Sequence, residues 1–266
     1  MAKAAVYSSE GKKISEATLP KVFEEEIRED LIKRAAISDQ TKLYQPKGSD
    51  VWAGVRTSAK YRGRKDDYGS LKNQGGAMLP REVLPNGKHG KVRRIPSSVK
   101  GRRAHPPKAE KVIVERINKR EYAKALRSAM AATASSAAVS RRGHAIGQSL
   151  QLPIILDNSA DSISKTSDAR KMFEAIGVSA DMQRAKKTKT RTGTGVGARR
   201  GGKKRPKSLL LVVSDSNSKL AHAARNLAGF DVVCASKLKV LDLAPGTKPG
   251  RLAAYTTAAL ELISKG

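Results

Sequence analysis

Apolar residues along the chain form two alternating patterns, short continuous runs and stripes with a helical spacing. The runs predict short buried β-strands at residues 152–156, 209–213, 231–234 and 252–255. Apolar runs of this length, bounded by turn-forming residues, are typical of strands inside a sheet. About four strands are therefore predicted, and the shared pattern indicates that they run mainly parallel.

Helical stripes lie between and before these runs. Residues 22–36 place Phe23, Ile27, Leu31 and Ala35 four positions apart, which predicts one amphipathic helix. A second helix is predicted to begin after Asn118. Its apolar face is formed by Tyr122, Leu126, Met130 and Thr133.

Capping residues support the second helix and mark three more. Asn118 is followed three positions later by Glu121, a pairing that favours a helix start. The further helices are predicted over 167–176 before Gly177, over 219–227 before Gly229, and after Thr256 or Thr257. About five helices thus alternate with four strands, which predicts an α/β fold with a mainly parallel sheet flanked by helices.

Two segments depart from this alternation. Residues 43–108 contain nine Gly and six Pro, with no apolar run or helical period that could form a core. Ordering a backbone costs ~1–2 kcal/mol per residue, so such a segment needs an outside partner to become ordered. We predict a globular α/β domain from residues 1–42 and 109–266, with 43–108 inserted as a long extended arm ("the arm"). Residues 183–207 form a second, Gly-rich loop within the domain ("the basic loop").

Positive charge is concentrated in the same two segments. The chain has 53 Lys and Arg against 24 Asp and Glu, and a net charge of +29. The arm holds 16 basic and four acidic residues, the basic loop holds 11 basic residues and no acid, and the other 175 residues hold 26 basic and 20 acidic ones. Charge clustered in this way is typical of nucleic-acid binding.

The amino-acid composition indicates which kind of partner and which cellular compartment to expect. Aromatic residues are only 4% of the chain, which favours phosphate contacts with folded RNA over stacking along a single strand. The single cysteine, Cys234, excludes a disulfide framework and indicates a reducing compartment. No apolar run approaches the ~20 residues of a membrane span, and no signal peptide is recognised. We expect a cytoplasmic protein.

No residue pattern in the sequence gives strong support for a nucleotide, catalytic or metal site. The glycine-rich stretch 192–197 has no predicted strand before it and no predicted helix after it, so it does not match a dinucleotide-binding motif. The residue types of a hydrolase catalytic triad occur at Ser214, Asp215 and His222. However, polar residues after a strand commonly cap the next helix. The four histidines are too scattered for a metal site. We expect no enzyme activity, no metal and no cofactor.

Six short strings resemble one family, the universal protein four of the large ribosomal subunit in its archaeal and eukaryotic form. They are Lys100-Gly-Arg-Arg-Ala-His-Pro-Pro107, Arg127-Ser-Ala-Met-Ala-Ala-Thr133, Arg142-Gly-His144, Arg205-Pro-Lys-Ser208, Ala224-Arg-Asn-Leu227, and Leu243-Ala-Pro-Gly246 through Pro249-Gly-Arg-Leu252. Their order and spacing cover most of the chain.

The resemblance implies an rRNA-binding structural protein of the large subunit whose arm lines the polypeptide exit tunnel. The arm tip, residues 66–81, would approach the tunnel and the nascent chain. Residues 71–80 depart from the Gly- and Arg-rich tip of the family, so only the region carries over. Implied partners are large-subunit rRNA and neighbouring ribosomal proteins, with no membrane.

The residues expected to bind RNA are cations of the two segments, together with the indole ring of Trp52 and the imidazole of His105. They are Trp52, Arg56, Arg62, Arg64, Lys72, Arg81, Lys91, Arg93, Arg94, Lys100, Arg102, Arg103, His105, Arg199, Arg200, Lys203, Lys204 and Arg205. Two other functions stay open at this point: a nucleic-acid chaperone acting outside the ribosome, and a small α/β hydrolase or nucleotide-binding enzyme with basic tails.

Overall fold

A computed structural model describes residues 3–147, 150–199 and 201–265. The chain divides into two compact units. The large unit comprises Met1–Leu43 and Val114–Gly266, and the small unit comprises Tyr44–Ile113.

The strands of the described residues are, in chain order, β1 (Lys3–Tyr7), β2 (Lys13–Thr18), β3 (Arg81–Val83), β4 (His89–Val92), β5 (Ile154–Leu156), β6 (Lys189–Thr190), β7 (Lys203–Lys204), β8 (Leu210–Val213), β9 (Asp231–Cys234) and β10 (Ala253–Thr256). The α-helices are α1 (Glu29–Thr41), α2 (Lys119–Ala134), α3 (Ser136–Arg142), α4 (Thr166–Ile176), α5 (Ser179–Lys186), α6 (Val196–Arg199), α7 (Lys219–Ala224), α8 (Val240–Leu243) and α9 (Thr257–Lys265).

One sheet organises the large unit. Its strand order is β2-β1-β5-β10-β8-β9, and every neighbouring pair is parallel except β1 with β2. Ala254 on β10 pairs with Ile154 on β5 and with Leu211 on β8. The predicted α/β fold with a mainly parallel sheet is confirmed.

Two apolar layers cover the faces of this sheet. One layer joins Val212 and Tyr255 of the sheet to Ile32 of α1 and Ala129 of α2. The other joins the alternate sheet residues to Phe173 of α4 and Leu220 of α7. Because helices cover both faces, the central strands β5 and β8 are apolar at every position, which is why they appear as runs in the sequence.

The N-terminal helix prediction was wrong over residues 22–28. A 3₁₀ turn at Lys21–Glu24 buries Phe23, the chain is extended at Glu25, and α1 begins only at Glu29. Ser128 on α2 decides this break. Its hydroxyl donates to the Glu26 carbonyl at 2.8 Å and accepts from the Arg28 amide at 2.6 Å, so the backbone bonds to α2 instead of to itself.

The N-terminal hairpin was not predicted. Strands β1 and β2 pair antiparallel along the sheet edge, and β2 is mostly exposed. The alanines and short length of β1 hide its burial from a pattern search. Asn118 does precede α2 as predicted, but its side chain makes no capping hydrogen bond.

The small unit has little interior. Its regular structure within the described residues is the β3–β4 antiparallel hairpin and one 3₁₀ turn at Pro85–Gly87. Of the residues described in this unit, Ala59 and Ser70 alone are buried. Backbone bonds such as Ser49 N–H to the Pro107 carbonyl, 3.2 Å, join its first and last residues.

Candidate nucleic-acid interface

Most of the predicted RNA-binding residues in the small unit present free charge. Within the described part of the chain, no ion pair or side-chain hydrogen bond engages Arg62, Arg64, Lys72, Arg81, Lys91, Lys100, Arg102, Arg103 or His105. Arg62 and Arg81 are half-buried, while the others are exposed. Exposed cations without carboxylate partners are the groups that can neutralise phosphate.

A minority of the predicted cations are engaged inside the unit. Arg93 bonds the Glu82 carboxylate through Nε at 3.3 Å and the Val99 carbonyl through Nη1 at 2.8 Å. Arg94 donates to the Ala59 carbonyl at 3.2 Å. These two arginines connect separate stretches of a unit that lacks a core, so holding the backbone is a role they already perform.

Trp52 lies in a turn stabilised by Asp50. The Asp50 carboxylate accepts from the Trp52 amide at 3.1 Å and pairs with Arg56 at 3.0 Å. Gly54 in this turn has φ of +78°, and a Cβ there would lie 2.3 Å from the Gly101 carbonyl oxygen. The structure thereby places the Trp52 turn against the Lys100–Arg103 string, which is 48 residues later in the chain.

The basic loop has more structure than its composition predicts. β6 and β7 pair antiparallel, and α6 lies between them. Lys203, Lys204 and Arg205 are exposed and without an ion pair among the described residues, whereas Arg199 donates to the Thr194 carbonyl at 2.5 Å. Arg200 lies outside the described residues.

The expectation of no strand before residues 192–197 and no helix after them was wrong in detail. A two-residue strand precedes them, and the one-turn helix α6 begins inside them. Neither belongs to the parallel sheet. The stretch therefore lacks the strand–turn–helix unit of the sheet on which a dinucleotide site depends.

A buried polar network holds the start of the basic loop. Asp181 on α5 is fully buried and receives hydrogen bonds from Arg184 at 2.7 Å, the Ala145 amide at 3.0 Å and the Ser208 hydroxyl. His144 lies 3.1 Å from the same carboxylate.

The bonds around His144 define its tautomer. Its Nε2 accepts from the Leu252 amide at 3.3 Å, so the proton of the neutral ring lies on Nδ1 and faces Asp181. Burial opposes ionisation of Asp181, but the hydrogen bonds from His144, Arg184 and Ser208 outweigh it and lower the pKa of this carboxyl group.

Arg251 extends this buried polar region. Its side chain is 1% exposed, and it donates to Asp231 at 2.6 Å and to the Ser208 carbonyl at 3.0 Å. Lys207, the last residue of the basic loop, also pairs with Asp231 at 2.8 Å. Burial raises the pKa of Asp231, but these cations more than offset it, and the net pKa is lowered.

Sequence reasoning missed this network as a unit. His144, Ser208 and Arg251 each lie within one of the six strings that carry the family resemblance. The strings were therefore a signal, but nothing in the sequence indicates that three of them meet around buried carboxylates.

The weak catalytic candidates do not assemble. Ser218, rather than Ser214 or Asp215, caps α7, and Asp215 accepts from the Asn217 amide at 3.1 Å. No hydrogen bond joins Ser214, Asp215 and His222 among the described residues.

The described residues offer neither a metal site nor a membrane span. They contain no group of three or more His, Cys, Asp or Glu side chains that could hold a metal ion. No helix in the described part of the chain combines the length and apolarity needed to cross a membrane.

Comparison with known proteins covers nearly the whole chain. The model of the ribosomal protein L4/L1 family matches residues 17–266. The large ribosomal subunit protein uL4 of Methanocaldococcus jannaschii is 46% identical over 264 residues, covering 99% of this chain and 98% of that protein. The uL4 proteins of Methanosphaera stadtmanae and Haloquadratum walsbyi are 42% and 40% identical, covering 98% and 97% of this chain and 96% and 98% of those proteins.

These matches confirm the family that the six strings resemble, and they are archaeal, as that resemblance specified. They also agree with the expectation that the chain is not an enzyme, because the family consists of ribosomal proteins. By the family match and by the extent and identity of its relatives, the chain belongs to the ribosomal protein L4/L1 family.

Proposed function

We propose that this protein is a structural constituent of the large ribosomal subunit that binds rRNA through the arm and the basic loop. Family membership supports the ribosomal role, since relatives at 40–46% identity carry the name of a large-subunit protein. One observation carries the RNA assignment: the arm and the basic loop hold 27 basic and four acidic residues, so most of their cations have no carboxylate to pair with, whereas the other 175 residues hold 26 basic and 20 acidic ones.

Selectivity in this proposal comes mainly from RNA shape. Phosphate contacts position a protein on RNA but carry little sequence information. The exposed Trp52 offers one ring that could stack on an unpaired base. Neighbouring ribosomal proteins would complete the environment, and the protein would act in the cytoplasm within the ribosome.

We also propose that residues 66–81 of the arm line the exit tunnel near the nascent chain. The support is the family membership together with the low burial of this stretch, in which only Ser70 is buried. A photo-crosslinker at exposed Gln74 should capture a stalled nascent chain. The same group at exposed Lys171, in the large unit, should not.

Sedimentation tests the ribosomal assignment. The tagged full-length protein should remain with the large subunit in gradients containing high salt, because a structural component is held by many contacts at once. A nucleic-acid chaperone would be released. Recovery of the protein only in the light fractions would refute the structural role.

Crosslinking tests the RNA interface. Ultraviolet crosslinks to rRNA should map to peptides of residues 43–108 and 183–207. Crosslinks confined to peptides of the helices α4 and α9 would move the interface away from the two segments.

A further inference from the structure

We propose that the small unit contains a pocket for one unpaired nucleotide of RNA, with the phosphate held by Lys91 and Lys100 and the base resting on Val92 and Val99. This inference rests on the proposed RNA-binding function and adds a defined subsite to it. The pocket is lined by Lys91, Val92, Arg93, Ser98, Val99 and Lys100 and has a volume of about 430 Å³.

The size of the pocket fits a single nucleotide. Pockets for small organic ligands begin at roughly 300 Å³, and this one is above that limit. It lies between strand β4 and the turn that follows, so one wall is a hairpin strand and the other is a loop. A double-stranded segment could not enter it, but a nucleotide turned out of a loop or bulge could.

The charge of the pocket favours phosphate. Arg93 uses its guanidinium within the protein, on Glu82 and on the Val99 carbonyl. Lys91 and Lys100 are exposed and have no carboxylate or carbonyl partner among the residues described. Two ammonium groups are therefore available to a ligand, and no acidic side chain lines the pocket. An anion is the ligand that this arrangement attracts.

The apolar part of the pocket favours a base. Val99 has an apolar side chain, yet it is 82% exposed. It lies beside charged residues in a unit with little core. An unpaired base has two apolar faces that lose contact with water when they rest on such a side chain. Inorganic phosphate alone would leave Val99 uncovered.

The pocket wall is held in a restricted conformation. The Ser98 amide donates to the Ile95 carbonyl at 3.2 Å, and the Gly101 amide donates to the Ser98 carbonyl at 3.1 Å. A Cβ on Gly101 would lie 2.0 Å from the Ile95 oxygen, so the turn closes only with glycine there.

Backbone strain is also found at this wall. Lys100 has φ of +60°, and Arg94 at the other end of the turn has φ of +71°. Side-chain-bearing residues adopt this conformation only where their surroundings enforce it, and they are concentrated at ligand-binding sites. Here the conformation fixes the backbone that carries one of the two lysines.

A pair of matched valine substitutions tests the pocket. Val112 belongs to the same unit and is 80% exposed, so Val99→Asp and Val112→Asp change the same residue type, exposure and net charge. In filter binding of the full-length protein to transcribed large-subunit rRNA, we expect Val99→Asp to bind about tenfold more weakly than Val112→Asp, because its carboxylate meets the phosphate. Equal affinities would overturn the pocket.

A second pair of variants, at lysines, keeps the test valid if the acidic variant misfolds. Lys91→Gln with Lys100→Gln removes two cations from the pocket, and Lys88→Gln with Lys108→Gln removes two exposed cations of the same unit outside it. The pocket pair should again bind about tenfold more weakly. Equal losses in both pairs would refute a defined subsite.

The wild-type protein separates the failure of this inference from the failure of the proposed function. If wild-type protein binds the rRNA no better than an unrelated RNA of equal length, the RNA-binding function itself is wrong. If wild-type binding is specific but the matched variants are equal, only the pocket is wrong. If the pocket variants lose binding to an acidic peptide while their RNA binding is unchanged, the pocket belongs to a protein partner. That result would overturn the nucleotide proposal.

Discussion

Arg251 in the large unit and the exposed cations of the small unit use their positive charge in opposite ways. In the large unit, Arg251 is almost fully buried and bonds to Asp231 and to backbone carbonyls. In the small unit, Lys91, Lys100 and Arg102 are exposed and have no such partners among the described residues. Removing a charge from water is costly unless it is paired, so a buried cation must be structural, while an exposed unpaired one is available to a ligand.

The cations inside the small unit also fall into two groups, those that bond to the protein and those that face outward. Arg93 and Arg94 bond to the protein, as Arg251 does, although they belong to the segment rich in free charge. Charge along the sequence therefore locates the binding segment, but partner bonds distinguish the cations that hold the backbone from those that face outward.

The largest expected contrast is in protease resistance, between the core strands on one side and the arm and the basic loop on the other. Core strands open only by global unfolding, which costs about 5–15 kcal/mol, whereas segments with few buried contacts open at almost no cost. Trypsin should therefore cleave within 43–108 and 183–207 at least a thousandfold faster than within β8 or β10, and added rRNA should protect both segments. Survival of both segments while the core is intact would show that the arm and the basic loop stay ordered without RNA.

Loss of the Asp181 carboxylate should be the most destabilising polar change in the large unit. Asp181→Asn replaces the charged acceptor that Arg184 and the His144 ring share with a neutral amide, and breaking one side of a buried charged pair costs about 3–5 kcal/mol. Urea unfolding of the full-length protein measures this loss. Glu261→Gln, an equivalent change at an exposed helical position, should alter stability by less than about 0.5 kcal/mol.

Acidification should remove the same stabilisation. The folded-state pKa of Asp181 is below its ordinary value of 3.8, so its contribution is fully present above about pH 4 and is lost as the pH falls through the folded-state pKa. The difference in unfolding free energy between wild type and Asp181→Asn should be constant from pH 7 to about pH 5 and shrink below pH 4. A difference that is undiminished at pH 2 would mean that the ionised carboxylate is not its source.

The smallest expected effect separates the two kinds of cation in the small unit. If about ten cations contact phosphate, log K for rRNA should fall against log salt with a slope of about −7 to −9. Arg102→Gln with Arg103→Gln should flatten the slope by roughly 1.4 to 1.8 units. Arg93→Gln with Arg94→Gln should flatten it by less than one unit, because those guanidinium groups are engaged in the protein.

A control in the large unit completes this measurement. Lys165→Gln with Lys171→Gln removes two exposed cations from a region of ordinary charge balance and should leave the slope unchanged within error. A larger change from these two lysines than from Arg102 and Arg103 would place the RNA site on the α/β unit.

The sequence by itself determined the fold class, the positions of the central strands and the two segments rich in basic residues. Strands β5 and β8 appear as apolar runs because they are enclosed in the sheet, and α4 was predicted to within a residue because Gly177 closes it with a left-handed cap. These features depend on neighbours a few residues apart, and a local pattern records them directly.

Only the tertiary structure decided the features that depend on distant residues. Ser128 interrupts the first turns of the predicted first helix from 100 residues away, and His144, Asp181, Ser208 and Arg251 meet around one buried region. Gly54 meets Gly101 in the same way within the small unit. Hydrogen bonds and close packing act through space, so a cation with a partner and a cation without one look alike along the chain until folding brings the partner within reach.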